Sequence, residues 1–98
     1  MARPERIELE VLAEPGVGGP VNVFRLRDKT VQVGGPFAGA VQIEGSLNGE
    51  DFAPIGAPMN APGFVLVPMT IALVRVRTVE AVSGEPRVTV GGFNYRAM

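Results

Sequence analysis

The chain has 98 residues, enough for one hydrophobic core and too few for two independent ones. Nine basic and ten acidic residues give a formal charge of -1, which supplies no basic field for direct nucleic-acid binding. The sequence contains no cysteine and no histidine, so disulfides, thiolate chemistry and the usual acid/base group near neutral pH are excluded.

The start, Met1-Ala2-Arg3-Pro4-Glu5, is not followed by an apolar signal region, and no run approaches about eighteen continuous apolar residues. Residues 1–5 are expected to be a flexible tail. The chain is expected to be synthesised in the cytoplasm of its host, with no membrane partner. Ile7, Leu9 and Val11 then alternate with Glu8, Glu10 and Leu12, the two-residue period of an extended chain. Residues 6–12 read as a first strand, an edge strand or an arm laid on a neighbouring subunit. Glu14-Pro15-Gly16-Val17-Gly18-Gly19-Pro20 reads as a flexible hinge or long loop, since proline removes donors and glycine frees the backbone.

Residues 21–26 give a second strand, Arg27-Asp28-Lys29 a polar turn, and Thr30-Val31-Gln32-Val33 a further extended piece ended by Gly34-Gly35-Pro36. Val41 and Ile43 share the inward face of a strand over 40–46. Asn48-Gly49 is the clearest hairpin turn in the chain, because both residue types tolerate positive φ. Phe52 is expected to return into the core. Pro54 marks a short edge strand over 52–56, and 57–63 is a loop. Residues 64–68 and 71–79 are strands, the second with Val74, Val76 and Thr78 on one face and Arg75 and Arg77 on the other. After a turn-rich stretch over 81–86, Val88 and Val90 face inward in the last core strand. Gly91-Gly92 is expected to bend the chain before Phe93, Tyr95 and Arg96.

No segment carries the helical recurrence of apolar residues over eleven or more positions. The expectation is an all-β domain over 6–98, a compact two-sheet antiparallel β-sandwich of about seven or eight short strands, with a jelly roll among the possible topologies.

The inventory for chemistry is poor. Asp51 with Glu44, Glu50 or Glu80 offers carboxylates only at turns or outward positions, and Ser46 and Ser83 have no histidine to activate them. Gly16-Val17-Gly18-Gly19 lacks the ending of a phosphate loop, and Asp28, Asn48, Glu50 and Asp51 lack the ordered spacing of a calcium loop. No catalytic, cofactor or metal site is expected. Candidate contact residues are Ile7, Leu9 and Val11 by strand addition, Met59 and Phe64 in or beside a loop, Arg75 and Arg77 toward an acidic partner, and Phe93, Tyr95 and Arg96.

Taken in order, Lys29-Thr30-Val31-Gln32-Val33, Gly35-Pro36-Phe37, Val41-Gln42-Ile43-Glu44-Gly45-Ser46-Leu47-Asn48-Gly49, Phe52, Val74-Arg75-Val76-Arg77 and Val88-Thr89-Val90 resemble small β-sandwich structural proteins of tailed bacteriophages. The resemblance covers roughly 29–90. It implies a virion component without enzymatic activity, and at this length a capsid decoration protein in preference to a complete receptor-binding fibre. Its partners would be the major capsid protein or another virion component, in a homo-oligomer for which a trimer suits threefold lattice points. Its final place would be the virion surface. A tail or baseplate accessory is the first alternative. A carbohydrate-binding or adhesion sandwich is the second, although the chain has no Trp and a single Tyr.

Overall fold

Alternation with a period of two fills the core from both sides. Val31 and Val33, Val41 and Ile43, Val65 and Val67, Val74 and Val76, and Val88 and Val90 are all buried. The computed structural model describes residues 2–95. Its strands are β1 (Arg3–Leu9), β2 (Gly16–Val17), β3 (Val21–Asn22), β4 (Leu26–Gly34), β5 (Phe37–Ser46), β6 (Ala53–Pro54), β7 (Gly63–Val67), β8 (Leu73–Gly84) and β9 (Arg87–Asn94). One sheet has the order β1-β9-β4-β7; the other has β2-β8-β5-β6, with β3 also on β8. Every pairing is antiparallel.

The result is an all-β, two-sheet sandwich measuring 40 × 28 × 19 Å. Two layers about 10 Å apart, with their outer side chains, account for the short dimension. If β2 and β3 are taken as one strand interrupted before Pro20, the strand orders are those of a jelly roll, in which a long antiparallel ribbon is rolled into two sheets.

That ribbon turns a corner at one place. The β4–β5 and β8–β9 connections each cross from one sheet to the other, and they cross side by side. Gly34 stands opposite Arg87 on one side of the corner and Phe37 opposite Gly84 on the other. Between these pairs the Glu85 N–H donates to the Pro36 carbonyl at 2.8 Å. Gly35 and Gly84 have φ of 80° and 91°, and a Cβ on either would come within 2.4 Å of a carbonyl oxygen of the opposite connection. Both the dihedral and the contact therefore require glycine.

Several local expectations change when the chain is closed into sheets. Arg3, Pro4 and Glu5 are not a tail: they lie in β1 and pair with Asn94, Phe93 and Gly92. The segment over 14–20 is not a free hinge, because it is tied along the outer edge of β8. Gly18 N–H donates to Val76 O, and Val82 N–H donates to Ala13 O. The Thr78 hydroxyl donates to Leu12 O at 2.6 Å. Pro15 and Pro20 have no N–H to donate, which is why this edge is paired only in short pieces.

Arg27-Asp28-Lys29 is a bulge inside β4 and not a turn between strands. The register against β9 shifts between Arg27 and Thr30, and Asp28 has φ 55°. Gly91-Gly92 continues β9 without a break as far as Asn94. Phe52 does not enter the core; it lies half-buried against Arg75.

The corner yields a graded test. Gly35→Ala and Gly84→Ala should each cost about 2 kcal/mol or more in urea denaturation, through positive φ combined with steric conflict. Gly49→Ala has positive φ, but the added carbon would meet only the Leu73 side chain at an ordinary 3.7 Å, and it should cost only about 1 kcal/mol.

Candidate functional site

Edge strands expose unpaired backbone groups, and folded proteins usually blunt them with charge, proline or a covering segment. The β8 edge is covered by β2 and β3, and the β5 edge by β6 and by Met59, whose N–H and carbonyl both bond Val41. The edge strand β1 reads Arg-Pro-Glu-Arg-Ile-Glu-Leu, with charges and a proline along it. The remaining edge, β7, reads Gly-Phe-Val-Leu-Val and carries no charge. It is the unguarded edge of the sandwich.

Within β7, Val65 and Val67 point into the core, while Phe64 and Leu66 point outward and are 68% and 70% exposed. The pairing places Phe64 beside Gln32 and Leu66 beside Thr30. The rows continue across the sheet through Thr89 to Glu8 and through Gly91 to Arg6. The outer face of this sheet is thus apolar at one edge, small and polar in the middle and charged at the other edge. Pro62 and Pro68 flank β7 and limit any added strand to about five residues. Such a surface suits protein contact by side-chain packing and strand addition.

The other sequence-derived candidates are distributed differently. Leu9 is in the core, with Ile7 and Val11 packed against it, so their side chains serve their own domain. Met59 is half-buried and packs on the core as well. Phe93 is 41% exposed, outward between Pro4 and Arg27. Tyr95 is 44% exposed, with the Arg27 guanidinium 5.3 Å from its ring centre. Arg96 lies outside the described residues. Leu66, Phe24 and Met69 were missed by sequence reasoning, because an outward apolar residue looks like a core residue until the register is known.

Arg75 and Arg77 are engaged within the chain. Their Nε atoms donate to the two carboxylate oxygens of Glu44, each at 2.8 Å. Glu44 stands directly opposite Arg75 and diagonal to Arg77, the two positions from which cross-strand side chains can meet. Arg75 also stacks on Phe52, 3.7 Å from the ring centre. Burial opposes ionisation of Glu44, but hydrogen bonds from Arg77 and Arg75 outweigh it and hold the pKa below its ordinary 4.5. Beside this group, on the same face of β5, the Gln42 amide donates to the carbonyls of Ile43, Ile55 and Gly56.

A concave cup of about 820 Å³ lies at the end of the sandwich remote from the glycine corner, lined by residues including Phe24, Arg25, Arg27, Lys29, Met69 and Tyr95. Arg25 of the lining is paired with Glu5, whose carboxylate accepts from the Asn94 amide and from Arg25 Nε at 2.9 Å, which together lower its pKa. Lys29 is 7% exposed, and its ammonium donates to the Leu26 carbonyl at 3.1 Å. Desolvation lowers the Lys29 pKa, with nearby Asp28 opposing it. Among the described residues, no group of three His, Cys, Asp or Glu side chains converges to hold a metal ion.

Fold and surface together define a small jelly-roll sandwich with an apolar free edge. The crystal structure of the SPBc2 prophage-derived protein YomS is similar to it, with a TM-score of 0.78 at 13% identity over 95% of both chains. No protein-family model and no curated protein sequence matches the chain.

Replacing Glu44 tests the arginine bridge. Glu44→Gln should lower stability by about 1–3 kcal/mol at pH 7, where charge-assisted hydrogen bonds are lost. A carboxylate with a depressed folded pKa stabilises above its unfolded pKa, and this contribution fades as pH falls through the folded value. The gap between wild type and variant in urea titrations should therefore narrow on acidification below the ordinary value of 4.5.

Proposed function

We propose that this protein is a non-enzymatic structural component of a tailed-phage particle, and specifically a capsid decoration protein bound in many copies to the outer shell through β7 and its outward face. The observation that carries the reading is the whole-length likeness to a prophage-derived protein of the same architecture. The ordered set of strand motifs over 29–90 supports it from the sequence side. The uncharged β7 edge supplies a surface through which such a protein can be held.

The physical logic is that of a clamp. A 98-residue sandwich has a thin stability margin by itself. Seating β7 against a shell subunit would pair free backbone groups and remove Phe64 and Leu66 from water. Repetition over a lattice would add avidity to individually modest contacts. Nothing in this scheme requires bond-making chemistry.

Quantitative mass spectrometry of purified, nuclease-treated particles tests the assignment through copy number relative to the major shell protein. A simple whole-number fraction of the shell copies is expected. Far fewer copies would move the protein to a tail, baseplate or vertex, and absence from intact particles would end the virion reading.

A second test addresses the surface. The double variant Phe64→Ser, Leu66→Ser should fold with stability within about 1 kcal/mol of wild type, because both side chains are already largely in water. Its incorporation into particles should fall at least tenfold. Unchanged incorporation would show that β7 is not the contact.

A further inference from the structure

The cup at the sandwich end is unlike the β7 surface in its chemistry. Phe24, Met69 and Tyr95 are 61%, 43% and 44% exposed around it. Its lining includes three cations, Arg25, Arg27 and Lys29, against one carboxylate, Asp28. Arg25 is already matched by Glu5. Lys29 is more than nine-tenths buried, and its ammonium donates to the neutral Leu26 carbonyl, although an ammonium has three protons to donate. Burying a cation so incompletely matched is costly, and an incoming carboxylate would relieve that cost.

The same end of the molecule also carries a projection of opposite character. The β5–β6 loop places Leu47 at 65% exposure beside exposed Glu50 and Asp51. Its shape is set before any contact is made: the Asn48 side-chain oxygen accepts from the N–H groups of Glu50 and Asp51, both at 2.9 Å, and Gly49 N–H donates to the Ser46 hydroxyl at 2.8 Å. Loop and cup share one end because Ser46 and Asn22 both stand opposite Leu73, on the two sides of β8. A preorganised acidic loop bearing one apolar side chain, next to a cationic cup rimmed by apolar ones, makes the end face self-complementary.

We propose that the cup receives the β5–β6 loop of a second copy of this chain, with Leu47 against Phe24, Met69 and Tyr95 and with Glu50 and Asp51 toward Arg27 and Lys29. A twofold axis across the end face makes the contact twice, as isologous dimers do. The cup meets the end of β7 at Val67 and Pro68, but Phe64 and Leu66 lie outside its lining and stay free for the lattice contact.

Sedimentation velocity on the full chain, from about 1 to about 500 µM, covers the affinity range of weak self-association. Wild type should pass from monomer to dimer and shift back toward monomer at high salt, as contacts between exposed charges are screened. Arg27→Glu, and separately the pair Glu50→Lys, Asp51→Lys, should each weaken association at least tenfold. An equimolar mixture of these two proteins should form a mixed dimer, because both contacts again join opposite charges. Lys29→Met keeps the side-chain length and removes the buried charge, so it should weaken dimerisation while thermal melting of the monomer stays equal or rises. A wild-type chain that remains monomeric throughout, a mixture that does not re-associate, or a dimer abolished by Leu66→Ser overturns the proposal. A monomeric chain present on particles in stoichiometric copies would sink this contact and leave the particle assignment intact.

Discussion

The crossing at Gly35 and Gly84 holds the architecture together. Two connections that each change sheet must pass within hydrogen-bonding distance of one another, and neither has room for a side chain at the crossing. Because they run as a pair, the register of β4 against β9 in one sheet is transmitted to β5 against β8 in the other. A one-residue slip in either sheet would turn every inward valine toward water, so the corner keeps the two inner faces in phase. The packed core of valine, leucine and isoleucine side chains follows from that phase relation.

Around this frame the chain treats its four sheet edges unequally. Two are covered by segments interrupted by proline, which pair where they can and detach where the N–H is missing. The β1 edge is protected by charge and by Pro4. The β7 edge has no charge and has proline only at its two ends, and an uncharged edge strand with two outward apolar side chains carries an aggregation risk unless a partner covers it. The difference between β7 and the other three edges is what directs attention to assembly.

Electrostatic pairing follows the same division of labour. Glu44 draws Arg75 and Arg77 together over the outer face of one sheet, and Glu5 ties the start of β1 to Arg25 and to Asn94 at the end of β9. These pairings use charges that the sequence would equally well have offered to another protein. Lys29 and Arg27 are the cations that the fold leaves toward the concave end, and the β4 bulge places them there.

The sequence by itself determined that the chain is all-β, that Val41, Ile43, Val74, Val76, Thr78, Val88 and Val90 face inward, and that catalytic groups are scarce. Those conclusions rest on period and composition, which are local properties. Strand pairing was not local: Arg27-Asp28-Lys29 has turn chemistry in isolation and becomes a bulge only because β9 runs beside it, and 14–20 has hinge composition yet is bound along β8. Likewise Arg75 and Arg77 look like an open basic face until Glu44, 31 and 33 residues away, is brought opposite them. Phe64 and Leu66 could be assigned to solvent only once Val65 and Val67 were fixed in the core and, among the described residues, no strand lay beyond β7. Tertiary structure decided these points because the energies involved belong to pairs of residues distant in the chain, and a pair has no signature in either residue alone.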